Sequence, residues 1–135
     1  MRSRKIAAVI VSLLFLATAN FLATPAKSAT IEQTTRAIHH KYDMTMISDL
    51  EETVQKDIIC LALNQYHEAR GSSISDIKAV GFSTRNRVKY TNSPSFCRAI
   101  WQKGQYVWTK RSVANILPKD KTSWLKMIGV AREIV

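Results

Sequence analysis

Apolar residues recur at helical spacing in the middle of the chain. The clearest stripe predicts an α-helix over residues 48–66, with Ser48 as its N-cap residue. The stripe occupies positions i, i+3, i+4 and i+7, which are Ile59, Ala62, Leu63 and Tyr66. Gly71 is the expected terminator, because glycine adopts the left-handed conformation that ends many helices.

A second helix is predicted to begin near Ser73, whose side chain can form a capping box with Asp76. The apolar face of this helix consists of Ile77, Val80, Gly81, Thr84 and Val88. A glycine inside a helix costs stability, so Gly81 indicates the close approach of another backbone.

The rest of the chain is predicted to form turns and short elements before a last helix. Residues 91–95 have the composition of a turn, and residues 96–101 form a short apolar segment. Around residues 106–110 the pattern allows at most a small β-hairpin. The last helix, over residues 122–135, has an apolar side made of Trp124, Met127, Ile128, Ala131 and Val135. The predicted fold class is therefore mainly α.

The first 29 residues are organised like a targeting segment. A basic start precedes the nearly uninterrupted apolar residues 6–23, and Pro25 and several small residues follow. This pattern indicates a signal peptide that is cleaved near residue 29. It also fits a retained membrane anchor, since these residues at ~1.5 Å each can just cross a hydrocarbon core of ~30 Å. In both cases the remaining chain lies outside the cytoplasm.

Residues 30–48 are polar and have no sustained periodicity, which predicts a tether or a loosely packed lead-in. Residues 49–135 then form the expected domain, whose length suits a single small unit.

The charge of the chain is unevenly distributed. Residues 30–68 contain three basic and seven acidic residues, whereas residues 69–135 contain thirteen basic and three acidic residues. A basic half favours a polyanionic partner, which can be nucleic acid, anionic lipid or a carboxylate-bearing wall polymer. Export argues against nucleic acid, and charge alone does not separate the other two.

The chain has two cysteines, Cys60 and Cys97. Outside the cytoplasm such a pair is expected to form a disulfide, worth about 3–4 kcal/mol on the chain-entropy model. Two separate buried thiols are the alternative. A zinc site is not expected, because His39, His40 and His67 lack ligand spacing relative to either cysteine.

Glu68 is the candidate catalytic residue. It follows the stripe of the first predicted helix, where the negative end of the helix dipole disfavours a charged carboxylate. A glycosidase needs such an acid to protonate the leaving oxygen. A glycosidase usually also has a second catalytic carboxylate. Few residues could supply it here, because the only acidic residues after Glu68 are Asp76, Asp120 and Glu133. We therefore expect a single-acid mechanism with an internal nucleophile from the substrate. The alternative is an ordinary surface glutamate.

Several other side chains could contact a sugar. Flat aromatic faces suit pyranose rings, although each of these residues also fits a packed core: Tyr66, Trp101, Tyr106 and Trp108. Asn86 lies off the apolar face of its helix and could bond a substrate amide or cap a turn. Arg70 cannot pair with Glu68 on a helical face, because the two residues are only two positions apart. It could instead interact with the negative end of the helix dipole or bind substrate.

Three motifs in this order resemble the SleB-type cell wall hydrolases, a family of spore cortex-lytic enzymes and of phage and bacterial wall hydrolases. The motifs are YHEARG at residues 66–71, AVGFSTRNRV at residues 79–88 and FCRAIWQKGQYVWT at residues 96–109. With the residues between them and the preceding CLALNQ, they span about fifty of the 135 residues.

The resemblance implies a lysozyme-like fold related to lytic transglycosylases and cleavage between N-acetylmuramic acid and N-acetylglucosamine in peptidoglycan. It implies that Glu68 is the catalytic acid, that Asn86, Gln105 and Trp108 shape the groove, and that no metal or organic cofactor is needed. It also implies a Cys60–Cys97 pair. With the candidates above, the expected substrate-binding set is Tyr66, Arg70, Asn86, Gln105, Tyr106 and Trp108.

We therefore expect an exported, monomeric enzyme, periplasmic or extracellular, that acts on peptidoglycan glycan strands and contacts a membrane only through its N-terminal segment. Two features depart from the family. Ser72 replaces the second acid of its usual EARGE motif, and the 135 residues lack a glycine-rich segment with a His-Tyr element, so the domain is expected to be shortened. A wall-binding protein without catalysis and a membrane-anchored accessory protein remain as alternative hypotheses.

Overall fold

The computed structural model describes residues 27–135, which fold into α-helices and two short 3₁₀ helices. The predicted signal peptide or anchor, including residues 6–23, lies outside the described residues. The α-helices are α1 (Ile31–Lys41), α2 (Glu52–Ala69), α3 (Ile74–Tyr90), α4 (Phe96–Trp101), α5 (Val113–Ile116) and α6 (Lys121–Ile134). The 3₁₀ helices are Thr45–Ile47 and Trp108–Lys110. Among residues 27–135, none of the helices combines the length and the apolar character that a membrane span requires.

The mainly α class is confirmed for the described residues, which contain no strand. The small hairpin considered around residues 106–110 is wrong, because a 3₁₀ helix forms at Trp108–Lys110 instead. Trp108 is only 2% exposed, and its indole N–H donates to Oδ1 of Asn64 at 3.1 Å. This contact holds the segment against α2, so it does not pair with another extended segment.

Helix α2 is the centre of the fold, and α1, α3, α4 and α6 pack around it. The sequence predicted one buried stripe, but every residue from Ile58 to Tyr66 is buried. Two buried amide side chains in this stretch donate hydrogen bonds to α3, whereas Oε1 of Gln65 has no partner among residues 27–135. Nδ2 of Asn64 donates to Oγ1 of Thr84 at 3.1 Å, and Nε2 of Gln65 donates to the carbonyl of Ile77 at 3.1 Å.

The start of α2 also differs from its prediction. Ser48 is not its N-cap residue but follows the 3₁₀ helix Thr45–Ile47, and α2 begins at Glu52. The end agrees better, because the helix stops at Ala69 and Gly71 follows with a φ of +89°. Glu68 therefore lies in the last turn of α2.

The lead-in predicted for residues 30–48 is folded and packed. Thr30 and Gln33 form a capping box at the start of α1, a signal that the sequence analysis did not use. The buried face of α1 includes Thr34 and Thr35, whose hydroxyls donate to carbonyls one turn earlier. Because these buried residues are polar by type, hydrophobic periodicity did not reveal the helix.

Helix α3 forms as predicted, with a capping box between Ser73 and Asp76. Gly81 is buried on it, but its neighbours are side chains and not another backbone. A Cβ at Gly81 would collide with Cδ1 of Ile134 and lie 2.8 Å from Nε2 of Gln65. Gly81 therefore allows α3 to pack closely against α2 and α6.

The predicted disulfide joins α2 to α4. The sulfurs of Cys60 and Cys97 are 2.08 Å apart, and their Cα atoms are 5.2 Å apart. Both residues are buried. On the last helix, Trp124, Met127, Ile128 and Ala131 are buried as predicted, whereas Val135 is exposed and Ile134 takes its place in the core.

Candidate active site

Glu68 lies on the border between two surface clefts. One cleft has a volume of about 340 Å³ and the other of about 320 Å³, and Glu68 lines both. Its side chain is exposed. A carboxyl group in this position can reach a bond in a chain-like ligand that passes from one cleft to the other.

The larger of the two, named here the basic cleft, is formed by the end of α2 and by the segment around α5. Its lining residues are Tyr66, His67, Glu68, Arg70, Arg111, Asn115, Leu117 and Lys119. Three of these side chains are cationic, and Glu68 is the one anionic member. The basic cleft therefore favours a polar ligand with negative charge.

The second, named here the apolar cleft, lies between α2, α3 and the loop before the 3₁₀ helix Trp108–Lys110. Its lining residues are Glu68, Ala79, Val80, Ser83 and Tyr106. The guanidinium of Arg87 lies 5.7 Å from the ring centroid of Tyr106. The small residues leave room for a ring, and Tyr106 offers an aromatic surface to it.

Tyr66 holds one wall of the basic cleft in place. Its hydroxyl accepts hydrogen bonds from the backbone N–H of Lys119 at 3.0 Å and of Asp120 at 3.3 Å, and from Nη1 of Arg70. Burial opposes ionisation of this phenol, but the donors outweigh it and lower the pKa of Tyr66. The guanidinium of Arg70 also lies 4.8 Å from the centroid of the Tyr66 ring. Arg70 is thus fixed beside Glu68 by its neighbour on α2.

His67 connects the end of α2 to Ile116 in α5 and to the core residue Trp108. Its Nε2–H donates to the carbonyl of Ile116 at 2.8 Å, and its ring stacks on Trp108 with centroids 4.7 Å apart. Burial lowers the pKa of His67, the bond to Ile116 opposes this, and the charges of Arg111 and Arg70 lower it further. The ring is therefore neutral at pH 7, and the positive charge of the cleft comes from its arginines and lysine.

The structure brings some of the predicted site residues together and separates others. Tyr66, Arg70 and Tyr106 line the clefts beside Glu68. Trp108 is buried behind His67 and presents no face to a ligand, which is the core alternative considered for it. Asn86 and Gln105 are exposed but line neither cleft. By helical spacing, Asn86 lies about one turn beyond Ser83 on α3.

Sequence reasoning missed the cleft residues that follow residue 110. Arg111, Asn115 and Lys119 complete the basic cleft, but they lie between residues 110 and 122, for which the sequence predicts no helix. Their position depends on distant contacts of Tyr66 and His67, which no local pattern announces. The basic character of this segment was the available signal.

Glu68 is the only carboxylate among the described residues that line the two clefts. The later acids have other partners. Asp76 belongs to the capping box of α3, Asp120 caps α6, and Glu133 pairs with Lys78 at 3.0 Å. The hydrogen bond from the Ser123 side chain, aided by backbone bonds and the charge of Arg70, holds the pKa of Asp120 below its usual value against the opposing effect of burial.

Other features of the surface do not provide this chemistry. A further cleft of about 500 Å³ contains Trp101, but no acidic residue lines it. Within residues 27–135, no three His, Cys, Asp or Glu side chains are grouped so that they could hold a metal ion.

Comparisons of this chain with protein families, with curated proteins and with solved structures found no match.

Proposed function

We propose that this chain is an exported enzyme that cleaves the glycosidic bond between N-acetylmuramic acid and N-acetylglucosamine in peptidoglycan, with Glu68 as its acid. The observation that carries the proposal is the position of Glu68, the one carboxylate on the border of two clefts. The three motifs that resemble SleB-type hydrolases support the same substrate, and the lysozyme-like relationship of the fold is part of the proposal.

The chemistry follows from having one carboxylic acid. Glu68 protonates the bridging oxygen as the bond from that oxygen to C1 of muramic acid breaks. Because the residues of 27–135 that line the clefts include no second carboxylate, a group of the substrate itself attacks C1. If that group is the 6-hydroxyl, Glu68 takes its proton and a 1,6-anhydro ring forms. If it is the acetamido oxygen, water later opens the ring and leaves a reducing end.

Digestion of purified sacculi tests this function. The full-length exported chain is expected to release soluble disaccharide-peptides, and mass spectrometry distinguishes the two routes because an anhydro end is one water lighter than a reducing end. Release of free peptides with intact glycan strands would contradict the proposed bond. N-terminal sequencing of the exported form tests the leader, with a start near Thr30 expected for a cleaved signal peptide.

A wall-binding protein without catalysis is the second candidate. The observation that favours it is Ser72, which replaces the second acid of the family motif and is exposed directly after Gly71. This candidate predicts that the chain sediments with sacculi but releases no soluble fragment. Retention of the apolar leader would instead favour a membrane-anchored accessory role.

A further inference from the structure

The basic cleft contains more positive charge than acid catalysis requires. Arg70, Arg111 and Lys119 line it, and none of them forms an ion pair among residues 27–135. Among residues 27–135, Lys56, Lys78 and Arg132 are the lysines and arginines that do pair with carboxylates. Unpaired cations around a concave site favour a ligand that brings its own negative charge.

The cations are held at the cleft by the fold. Arg70 is fixed by the Tyr66 hydroxyl and lies over the Tyr66 ring. Lys119 is fixed at its backbone by the same hydroxyl. Arg111 is held by two backbone bonds, with its N–H donating to Trp108 at 3.1 Å and its carbonyl accepting from Ala29 at 3.0 Å. The fold therefore fixes the side chain of Arg70 and the backbone positions of Arg111 and Lys119 at the cleft.

The two clefts differ in the way that the two sugars of peptidoglycan differ. N-acetylmuramic acid carries a lactyl side arm, with carboxylates on that arm or on the peptide attached to it, whereas N-acetylglucosamine carries no acid. One cleft beside Glu68 is basic, and the other is lined by Ala79, Val80, Ser83 and Tyr106.

We propose that the basic cleft binds the N-acetylmuramic acid residue through a carboxylate of its side arm, so that N-acetylglucosamine lies in the apolar cleft against Tyr106. This inference rests on the proposed function and sets the direction of the glycan strand across Glu68. Arg111 and Lys119 are the side chains that recognise the carboxylate, since Arg70 is already engaged with Tyr66.

Positive charge continues beyond the cleft in one direction. Leu117 lines both the basic cleft and a neighbouring groove on α1, which contains Arg36, His40 and Lys41. Nζ of Lys41 donates to the carbonyl of Pro118 at 2.8 Å, which joins the two surfaces. A stem peptide that extends from the muramic acid toward α1 would therefore lie along the basic residues of this groove.

The test compares substrates that differ only in charge. Glycan strands with stem peptides are used either intact or after their carboxylates have been converted to neutral methylamides. The double variant Arg111→Gln/Lys119→Gln is measured against a matched control, Lys89→Gln/Lys126→Gln, which removes two exposed charges away from the clefts. On intact strands the cleft variant is expected to raise KM about three- to tenfold with kcat nearly unchanged.

On neutralised strands the cleft variant and the wild type are expected to have the same KM. The inference is overturned if the wild type does not distinguish the two substrates, or if the cleft variant loses as much on neutralised strands as on intact ones. Strands stripped of peptide by an amidase separate the two carboxylate sources. The amidase leaves a free lactyl carboxylate where peptide-bearing strands have an amide. A higher KM of the cleft variant on stripped strands shows that the cleft also accepts the lactyl carboxylate, whereas equal KM values assign the contact to the peptide carboxylates alone.

Two further variants complete the design. Tyr106→Ala is expected to raise KM equally on intact and neutralised strands, because Tyr106 contacts the uncharged sugar. Binding of labelled strands to Glu68→Gln, with and without the cleft substitutions, isolates recognition from cleavage. If the wild type binds strands in a charge-dependent way but does not cleave them, the enzymatic function is overturned and the inference about the basic cleft is kept. If the wild type cleaves strands without charge dependence, the inference is overturned and the enzymatic function is kept.

Discussion

The phenol oxygen of Tyr66 lies 3.0 Å from the backbone nitrogen of Lys119, and this bond joins the end of α2 to the far wall of the basic cleft. The same oxygen also accepts from Asp120 and Arg70. One buried hydroxyl therefore sets the positions of residues at the end of α2 and in the segment before α6.

Replacement of Tyr66 by phenylalanine is expected to lower the free energy of unfolding by about 1–3 kcal/mol, because three donors lose their shared acceptor. Urea unfolding measures this loss. Tyr90→Phe is the matched control, since Tyr90 is 83% exposed, and it is expected to change stability by less than about 0.5 kcal/mol. Equal stability of Tyr66→Phe and the wild type would show that the hydroxyl does not hold the wall.

Loss of the disulfide is expected to destabilise the fold by about 3–4 kcal/mol, because the link restricts the unfolded chain between Cys60 and Cys97. The native protein should be two hydrogens lighter than its reduced form and have no free thiol. Reductant should lower the unfolding free energy of the wild type and leave a Cys60→Ala/Cys97→Ala variant unchanged. A wild type that is indifferent to reductant would contradict this account.

Acidification is expected to destabilise the protein through His67. The pKa of its ring is lowered in the folded state, chiefly by burial and then by the neighbouring arginines, so the unfolded chain takes up this proton at higher pH. The stability from the neutral ring is fully present above about pH 6.5, the ordinary pKa, and is lost as pH falls toward the lower folded value.

Urea unfolding at a series of pH values checks this effect. Between about pH 7 and pH 5, the free energy of unfolding of the wild type should fall more steeply than that of His67→Gln. His40→Gln, which replaces an exposed histidine, is the matched control. A His67→Gln curve parallel to that of the wild type would rule out His67 as the source.

Gly81→Ala is expected to cost about 1–3 kcal/mol, because the new Cβ would collide with Ile134 and press on the buried amide of Gln65. The control is Gly129→Ala on α6, where the nearest atom, Cε of Met46, would lie 3.8 Å away. That change should be neutral or stabilising, since alanine favours a helix more than glycine does. Thermal and urea unfolding of both variants measure the contrast, and equal effects would contradict the close packing of α3.

The sequence predicts those features of the fold that local chemistry determines. The capping box of Ser73 and Asp76 and the apolar spacing of α3 and α6 are local, and they form as expected. The packing of α1 was missed because Thr34 and Thr35 are buried as hydrogen-bonded polar residues. Trp108 suited a hairpin, a groove or the core by type, and its bond to Asn64, 44 residues away, places it in the core.

The candidate site shows the same difference between residues of a local motif and residues placed by distant contacts. Glu68 and Arg70 could be proposed because they belong to one short motif at a helix end. Arg111 and Lys119 could not, because the bonds of His67 to Ile116 and of Tyr66 to Lys119 join distant parts of the chain. Local patterns therefore identified Glu68 but not Arg111 and Lys119, which line the basic cleft with it.

The most direct test of the enzymatic account is the release of soluble fragments from purified sacculi by the wild type and by Glu68→Gln. Glu68 is exposed, so the substitution should leave the melting temperature close to that of the wild type. The account predicts that release falls by about 10²-fold or more, the usual contribution of a general acid. Release by a folded Glu68→Gln protein at the wild-type rate would contradict it.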